Sequence, residues 1–526
     1  MRRMVSSQEF RCAAALAVAG LLWSVGCSRT PVPPVERAAA LISADRIERN
    51  GRALSDDDMG GRYYASPEAD SAAALVLGQL RALHIPLVQR SENVLGRHPA
   101  CFTHHFSVTL YRLGSRNQLV GRHGGAERPA ELGHDYVPLV FSRRAAVTGR
   151  VVRIEDDTPT PRFPPDAVAL VTLPGPRPAN ADLYARVRSL ENRGAAAVLF
   201  EGDGRLLSLV SAVYPSHLAA EQHAVSDSPR GAAANLTADR MSLASQSRAW
   251  QDAESPTIPA LVVRSSWADR LQTGDLVQLR ADIEPEVSLG QNVLVGFRGK
   301  DRPDEVVVLA ANYDHAGINA AGDVLNGAND NASGVAALLE IAAALAAAQD
   351  ELQRSVVVAF FSGSRAGLQG SEALLRDWSL LFSTASHPVR MIGLRAIGRD
   401  DGNPLLAVGG TPQDDLFARF EPHDRREELL GPVLAIQRAG DEANDVSRIE
   451  IVPGRGSDHL SFVRAGIPAL LLTDGMDPGA LPNPADDWRT VNAAKIARVA
   501  RLVFRTTLDL AGAPAPAVLP AAAPKR

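Results

Sequence analysis

Residues 306–345, VVVLAANYDHAGINAAGDVLNGANDNASGVAALLEIAAAL, read as a buried strand, a polar loop and an alanine-rich helix. The opening run is apolar without alternation, the pattern of a strand covered on both faces. Asp314, His315, Asp330 and Asn331 follow it, and a helical run begins near Val335. In an open α/β sheet the crevice outside the carboxyl ends of the strands collects functional side chains, because the loops there are free of the packing that fills the sheet. A ligand site is therefore expected in this loop.

The same strand, loop and helix pattern extends outward. NVLVGFRG (292–299), SVVVAFF (355–361), RMIGLRAIG (390–398) and IPALLLTD (467–474) read as strands, with helices from Ser371 and over 492–510. The expected fold class is α/β: a mixed, mostly parallel sheet sandwiched by helices. Upstream, 38–52 has helical spacing, and 66–83 reads as a second helix with Ser66 at the cap and Pro67 in the first turn. Residues 106–113 alternate like a strand, preceded by His104 and His105, which lack a spaced partner and are expected at a strand start rather than on a metal. Residues 138–286 differ in texture, with short β-like runs between Pro, Gly and Asp and one helix near 184–193. The expected division is 1–27 signal, 28–37 tether, 38–137 first part of the main domain, 138–286 β-rich insert, 287–512 main domain, and 513–526 Ala/Pro tail.

With 526 residues, 45% of them hydrophobic, the chain can bury a large core, and a formal net charge of −5 gives no basic field for nucleic acid. Arg2, Arg3 and Arg11 precede an apolar run over 13–23 and then Ser24-Val25-Gly26-Cys27, a secretory pattern. The Gly-Cys pair resembles the lipobox of bacterial lipoproteins, with Ser24 departing from its usual leucine. That resemblance implies lipid on Cys27, a cell-envelope location facing the periplasm from the outer membrane, and a membrane contact through the lipid. A cleaved, soluble periplasmic or secreted form is the alternative. Cys12 would leave with the signal, so Cys101 is expected to be a lone buried thiol.

Five segments in order resemble the co-catalytic two-zinc exopeptidase family, which includes bacterial leucyl aminopeptidases, glutamate carboxypeptidase and the non-catalytic transferrin receptor. They are ANYDHAG (311–317), GANDNASG (327–334), FSGSRAGLQGS (361–371), MIGLRAIGR (391–399) and GSDHLSFVRAGIP (456–468). LSDDDMGGRYYA (54–65) is similar to a segment that precedes a helix in the secreted members. Within the insert, ADLYARVRSLENRGAAAVLF (181–200) and Ile258-Pro259-Ala260 resemble the protease-associated domain. In the family, two zinc ions share a bridging carboxylate, and a second carboxylate takes a proton from the bound water.

Carried over residue by residue, the resemblance makes Asp314 the carboxylate behind the ligands, Asp330 the bridge and His459 the last ligand. Asn312 stands where a His ligand belongs, Ser364 where the base belongs, Arg365 where a Glu ligand belongs and Arg395 where an Asp ligand belongs. No intact catalytic set remains, so the expectation is a metal-free site in which the arginines neutralise Asp330. Glu372 and Asp400 lie near two of the lost carboxylates, but the flanking residues match without a gap. Ser362-Gly363-Ser364 lacks the G-x-S-x-G elbow of a serine hydrolase. Asp330 could also cap the helix that follows. His315 is expected as a loop histidine.

The leading expectation is a pseudopeptidase that binds a peptide or protein. An active two-zinc aminopeptidase with an atypical site is the first alternative, and an interaction protein acting through the insert is the second.

Overall fold

A computed structural model describes residues 32–89, 95–155, 162–172, 183–203, 207, 256–318, 323–364, 367–382, 385–399, 405–409, 416, 418–427, 457–474 and 484–512. Arg365, Asp400, Cys27, the signal, residues 28–31 of the tether and the Ala/Pro tail lie outside these residues.

Among the described residues fifteen strands form two sheets. After β1 (Ala100–Leu113), the chain makes β2 (Gln118–His123), β3 (Ala126–Pro129), β4 (Tyr136–Pro138), β5 (Ala145–Glu155), β6 (Ala167–Thr172), β7 (Ala197–Gly202), β8 (Ala260–Arg264) and β9 (Leu276–Ala281). It then returns through β10 (Ile283–Phe297), β11 (Arg302–Asn312), β12 (Arg354–Phe361), β13 (His387–Leu394), β14 (Leu406–Gly409) and β15 (Ala469–Thr473).

The main sheet has the order β1-β10-β12-β11-β13-β15-β14. Its β12-β11-β13-β15 centre is parallel, and its flanking pairs are antiparallel. β11 and β12 are apolar on both faces because helices cover both. The helix Ser333–Ala347 and the helix Ala493–Gly512 pack on one side with Val307, Leu309, Val356 and Val358. On the other side, Leu374, Trp378 and Phe462 meet Val306, Val308 and Val357. Glu340 is 1% exposed within the apolar helix and is not left alone there. Arg46 Nε and Nη2 donate to its two oxygens, each at 2.7 Å, and the Ser43 amide donates to Oε2 at 2.7 Å. Charge-assisted, bidentate bonding of this kind offsets the burial of a carboxylate.

The single helix expected over 38–52 is two, Pro34–Ala39 and Ala44–Leu54, separated where Ser43 Oγ accepts the Arg46 amide at 3.4 Å. Local capping overrides the continuous spacing. The helix Pro67–Ala82 starts as expected, with Ser66 Oγ accepting the Ala69 amide at 3.3 Å.

The second sheet, β3-β2-β9-β5-β6-β7-β8-β4, holds the residues assigned to the insert, but it begins upstream of position 138. β2 pairs with β9, β3 pairs with β2 and β4 pairs with β8, so 118–138 belong to this sheet. β10 likewise starts at Ile283, ahead of the boundary placed at 287. The alternation in 106–113 marks a strand but says nothing of its partner. That partner is β10, in register from Ala100↔Gly296 to Leu113↔Ile283. This ribbon is the stalk on which the second sheet is carried.

Candidate functional site

The carboxyl ends of the parallel strands converge as the α/β rule requires. β11 ends at Asn312 and leads to Asp314 and His315, β12 leads to Ser362 and Ser364, and β13 leads to Arg395. The helix His459–Arg464 starts beside them, and the turn Ala328–Ala332 supplies Asp330. Asn312, Asp314, Asp330, Ser364, Arg395 and His459 are all buried.

Arg395 and Asp330 form a bidentate pair: Nε donates to Oδ1 at 2.7 Å and Nη2 to Oδ2 at 3.1 Å. Burial pushes the guanidinium down, but the Asp330, Asp458 and Asp314 carboxylates outweigh it and hold it above its ordinary value. Asp330 does not cap the helix. The helix begins at Ser333, its cap position is Ala332, and the side chain that accepts a first-turn amide is Asn331, whose Oδ1 takes the Gly334 amide at 3.2 Å. The Asp330 and Asn329 amides instead donate to Asp486, at 3.1 and 2.7 Å. Burial raises the Asp486 carboxyl to about 6 in spite of those amides, with Asp330 adding to the rise.

Asn312 spends its carboxamide on neighbours. Its Nδ2 donates to the Asp314 carbonyl at 2.9 Å, and its Oδ1 accepts from Asn331 Nδ2 at 3.1 Å. Ser364 does more than occupy the space of a glutamate, since its Oγ donates to Asp458 Oδ2 at 2.5 Å. Burial raises the Asp458 carboxyl, opposed by Ser364, Ser371 and the field of Arg395. His459 is 1% exposed, and its Nδ1 has no hydrogen-bond partner. Burial first, then the Arg395 and Arg464 charges, push its imidazole down to about 3, so it is neutral at physiological pH.

The Gly-Arg pair of 54–65 supports this site from behind. Arg62 is buried and donates to the carbonyls of Tyr313 at 2.8 Å, Asn326 at 2.8 Å, Gly327 at 3.2 Å and also Leu54. Gly61 has a φ of 67°, and a Cβ there would lie 2.2 Å from the Gly317 carbonyl oxygen. Only glycine lets the two segments come so close.

Other positions fall outside the site. Glu372 lies in the helix Gln369–Arg376 and meets Arg464 at 3.2 Å. His104 is buried on β1 between Asp377, at 3.1 Å, and Asn292, at 3.2 Å, while His105 is exposed. Cys101 is a buried free thiol, pushed up to about 11 by burial. Asp458 and Asp486 are the two site carboxylates that reading the sequence missed. Asp458 had a signal, since it immediately precedes His459 within a matched segment. Asp486 had none, because its partners lie more than 150 residues upstream.

Residues 292–507 match the model of peptidase family M28. A probable zinc metalloprotease of Pyrenophora tritici-repentis (strain Pt-1C-BFP) is 28% identical over 273 residues, which cover 43% of this chain and 52% of that protein. Another, of Pyricularia oryzae (strain 70-15), is 27% identical over 199 residues, covering 33% of this chain and 38% of that one. The chain thus spans about half the length, or less, of these curated relatives. The aminopeptidase from Aneurinibacillus sp. strain AM-1 superposes with a TM-score of 0.56 at 17% identity, over 90% of this chain and 95% of that one. A zinc aminopeptidase from Bacillus subtilis gives 0.53 at 15% identity, over 89% and 95%. At these identities the two structures speak for the fold.

The family is zinc-dependent, and the donor set described above does not fit a zinc pair. Both Asp330 oxygens face a guanidinium, Asn312 is a neutral amide already bonded, and Ser364 is bonded to Asp458. Among the described residues no three His, Cys, Asp or Glu side chains come together as a metal-ligand set. A dication about 4 Å from the Arg395 charge would be repelled by roughly 8 kcal/mol at an effective dielectric constant near 20.

Proposed function

We propose, from the match of residues 292–507 to peptidase family M28, that this chain is a pseudopeptidase, using the crevice at its strand ends to bind a peptide or protein rather than to hydrolyse one. One observation carries the reading: the carboxylate at the bridging position is held by both arms of the Arg395 guanidinium. The base position offers a serine whose hydroxyl is already given to Asp458. The crevice itself persists, since the strands, the turn and the supporting Arg62 are in place.

Zinc loading of the purified chain, followed by metal analysis and an assay on aminoacyl chromogenic substrates, tests this. The expected result is no stoichiometric zinc and no chelator-sensitive turnover. Two zinc ions per chain with turnover would overturn it in favour of the second reading, an active zinc aminopeptidase with an atypical site. That reading draws its support from relatives named as probable zinc metalloproteases.

In the same proposal the chain is held at the bacterial envelope by lipid on Cys27, supported by the apolar run and Gly26-Cys27. Metabolic labelling with a fatty acid is expected to mark the chain and to fail for Cys27→Ser. Labelling that persists in that variant would remove the anchor.

A further inference from the structure

We infer that Arg395 is a built-in cation that takes over the cross-linking a metal would perform, latching residues 329–333 to residues 394–398 so that the domain keeps its crevice with no metal bound. The inference rests on the misfit between the family's cofactor and this chain's residues, and it holds whether or not the crevice takes a peptide.

The two segments are stitched together by side chains of the first and backbone of the second. Asn329 Oδ1 accepts the Gly398 amide at 2.8 Å. Asn331 donates to the Leu394 carbonyl at 2.8 Å and accepts the Ala396 amide at 3.2 Å. Ser333 Oγ accepts the Ile397 amide at 3.3 Å. Asp330 completes the row through the Arg395 fork, so only Ala332 takes no part with its side chain.

The neutral bonds can close by themselves, whereas the charged one cannot do without a cation. Asp330 is fully buried, and an isolated carboxylate there would be driven out or protonated. Asp314 and Asp458 are also buried, and the same guanidinium acts on both through its field. Asp458 Oδ1 is buried without a hydrogen-bond partner, and the Arg395 field adds to the Ser364 and Ser371 hydroxyls in opposing the rise that burial causes in this carboxyl. Among the described residues the Arg395 guanidinium thus sits among three acids, where the family resemblance would put a metal. Unlike a metal it is covalently attached, and chelators cannot remove it.

The experiment is a double-mutant cycle on the full chain, read as melting temperature with and without EDTA and with zinc. The wild type is expected to melt within about 1 °C of the same temperature in all three conditions, as for a chain whose folded state binds no metal. Arg395→Met and Asp330→Asn each unpair the site, and Arg395→Met leaves a buried carboxylate. Its melting point is expected to fall on the order of 10 °C. The double variant should recover at least half of that deficit, because it removes both charges. Additive losses in the double variant would overturn the inference. A wild type destabilised by EDTA and restored by zinc would overturn it as well. If Arg395→Met yields no folded chain, Arg395→Lys, which keeps the charge and loses the fork, is expected to fold with a smaller loss than any Arg395→Gln variant. A lysine variant no better than glutamine would overturn the assignment, since charge would then not be what the position supplies.

Discussion

Ser364 and His459 show how far a single residue's role departs from the position it occupies. By the family resemblance Ser364 would stand where a base acts, and in the structure its hydroxyl serves the buried Asp458 carboxyl. Ser364→Ala is expected to cost about 1–3 kcal/mol, the penalty of leaving a buried polar group without its hydrogen-bond partner, in urea denaturation at neutral pH. His459 gives a pH prediction. Its folded value near 3 lies below the ordinary imidazole value, so as pH falls the unfolded chain takes up a proton that the folded chain refuses. Its contribution is intact above about pH 6.5 and is lost by about 1.4 kcal/mol per unit below it. Between pH 7.5 and 4.5 the wild type should therefore lose about 3 kcal/mol more stability than His459→Gln, which denaturation at the two pH values would read. That Ser364, Arg365 and Arg395 stand where the family carries carboxylates was an expectation from the resemblance of the flanking segments. Where the side chains go was not legible. Spacing places Arg395 at the end of a strand, but only packing brings its fork onto Asp330, 65 positions upstream.

At the scale of elements, the apolar runs of β11, β12, β13 and β15 announced a covered parallel sheet, because a strand buried on both faces can carry no alternation. Elements decided by a few local bonds were less visible. The break at 40–43 depends on one serine cap and on Glu340, and β14 is only four residues long. The GANDNASG segment was read as metal-binding by resemblance, whereas in this fold its asparagines and serine hold the loop beside it. The Glu340 contact makes its own prediction. Glu340→Gln removes the charge that receives Arg46 and Ser43, and it should cost about 1–3 kcal/mol, with the N-terminal helix Ala44–Leu54 gaining amide exchange before the rest of the chain. Exchange that rises uniformly instead would mean that this helix is not a separate unit.

For the whole molecule, the ribbon of β1 and β10 sets what can be separated. Leu113 and Ile283 face each other at its far end, and the Gly114 amide donates to the Asp282 carbonyl at 2.8 Å. Replacing residues 115–281 by a short Gly-containing turn is therefore expected to leave a hairpin and a main domain that melts cooperatively. A molten product would show that the second sheet is needed for the first. If the truncated chain folds and still captures the full chain's peptide or protein ligand, the crevice is the binding element. If capture vanishes, the β-rich insert is. The ribbon also has a mechanical meaning. The ladder holds one register from Ala100 to Leu113 and both strands leave it for the second sheet at the same end, so a pull on that sheet draws the two strands the same way and is borne by their backbones rather than by the rungs between them. Tension drawn between a partner on that sheet and an anchored amino terminus would run down the ribbon into Asn292, whose side chain donates to the Gly370 carbonyl beside the crevice. The stalk thus joins the outer module to the helix that starts beside the crevice.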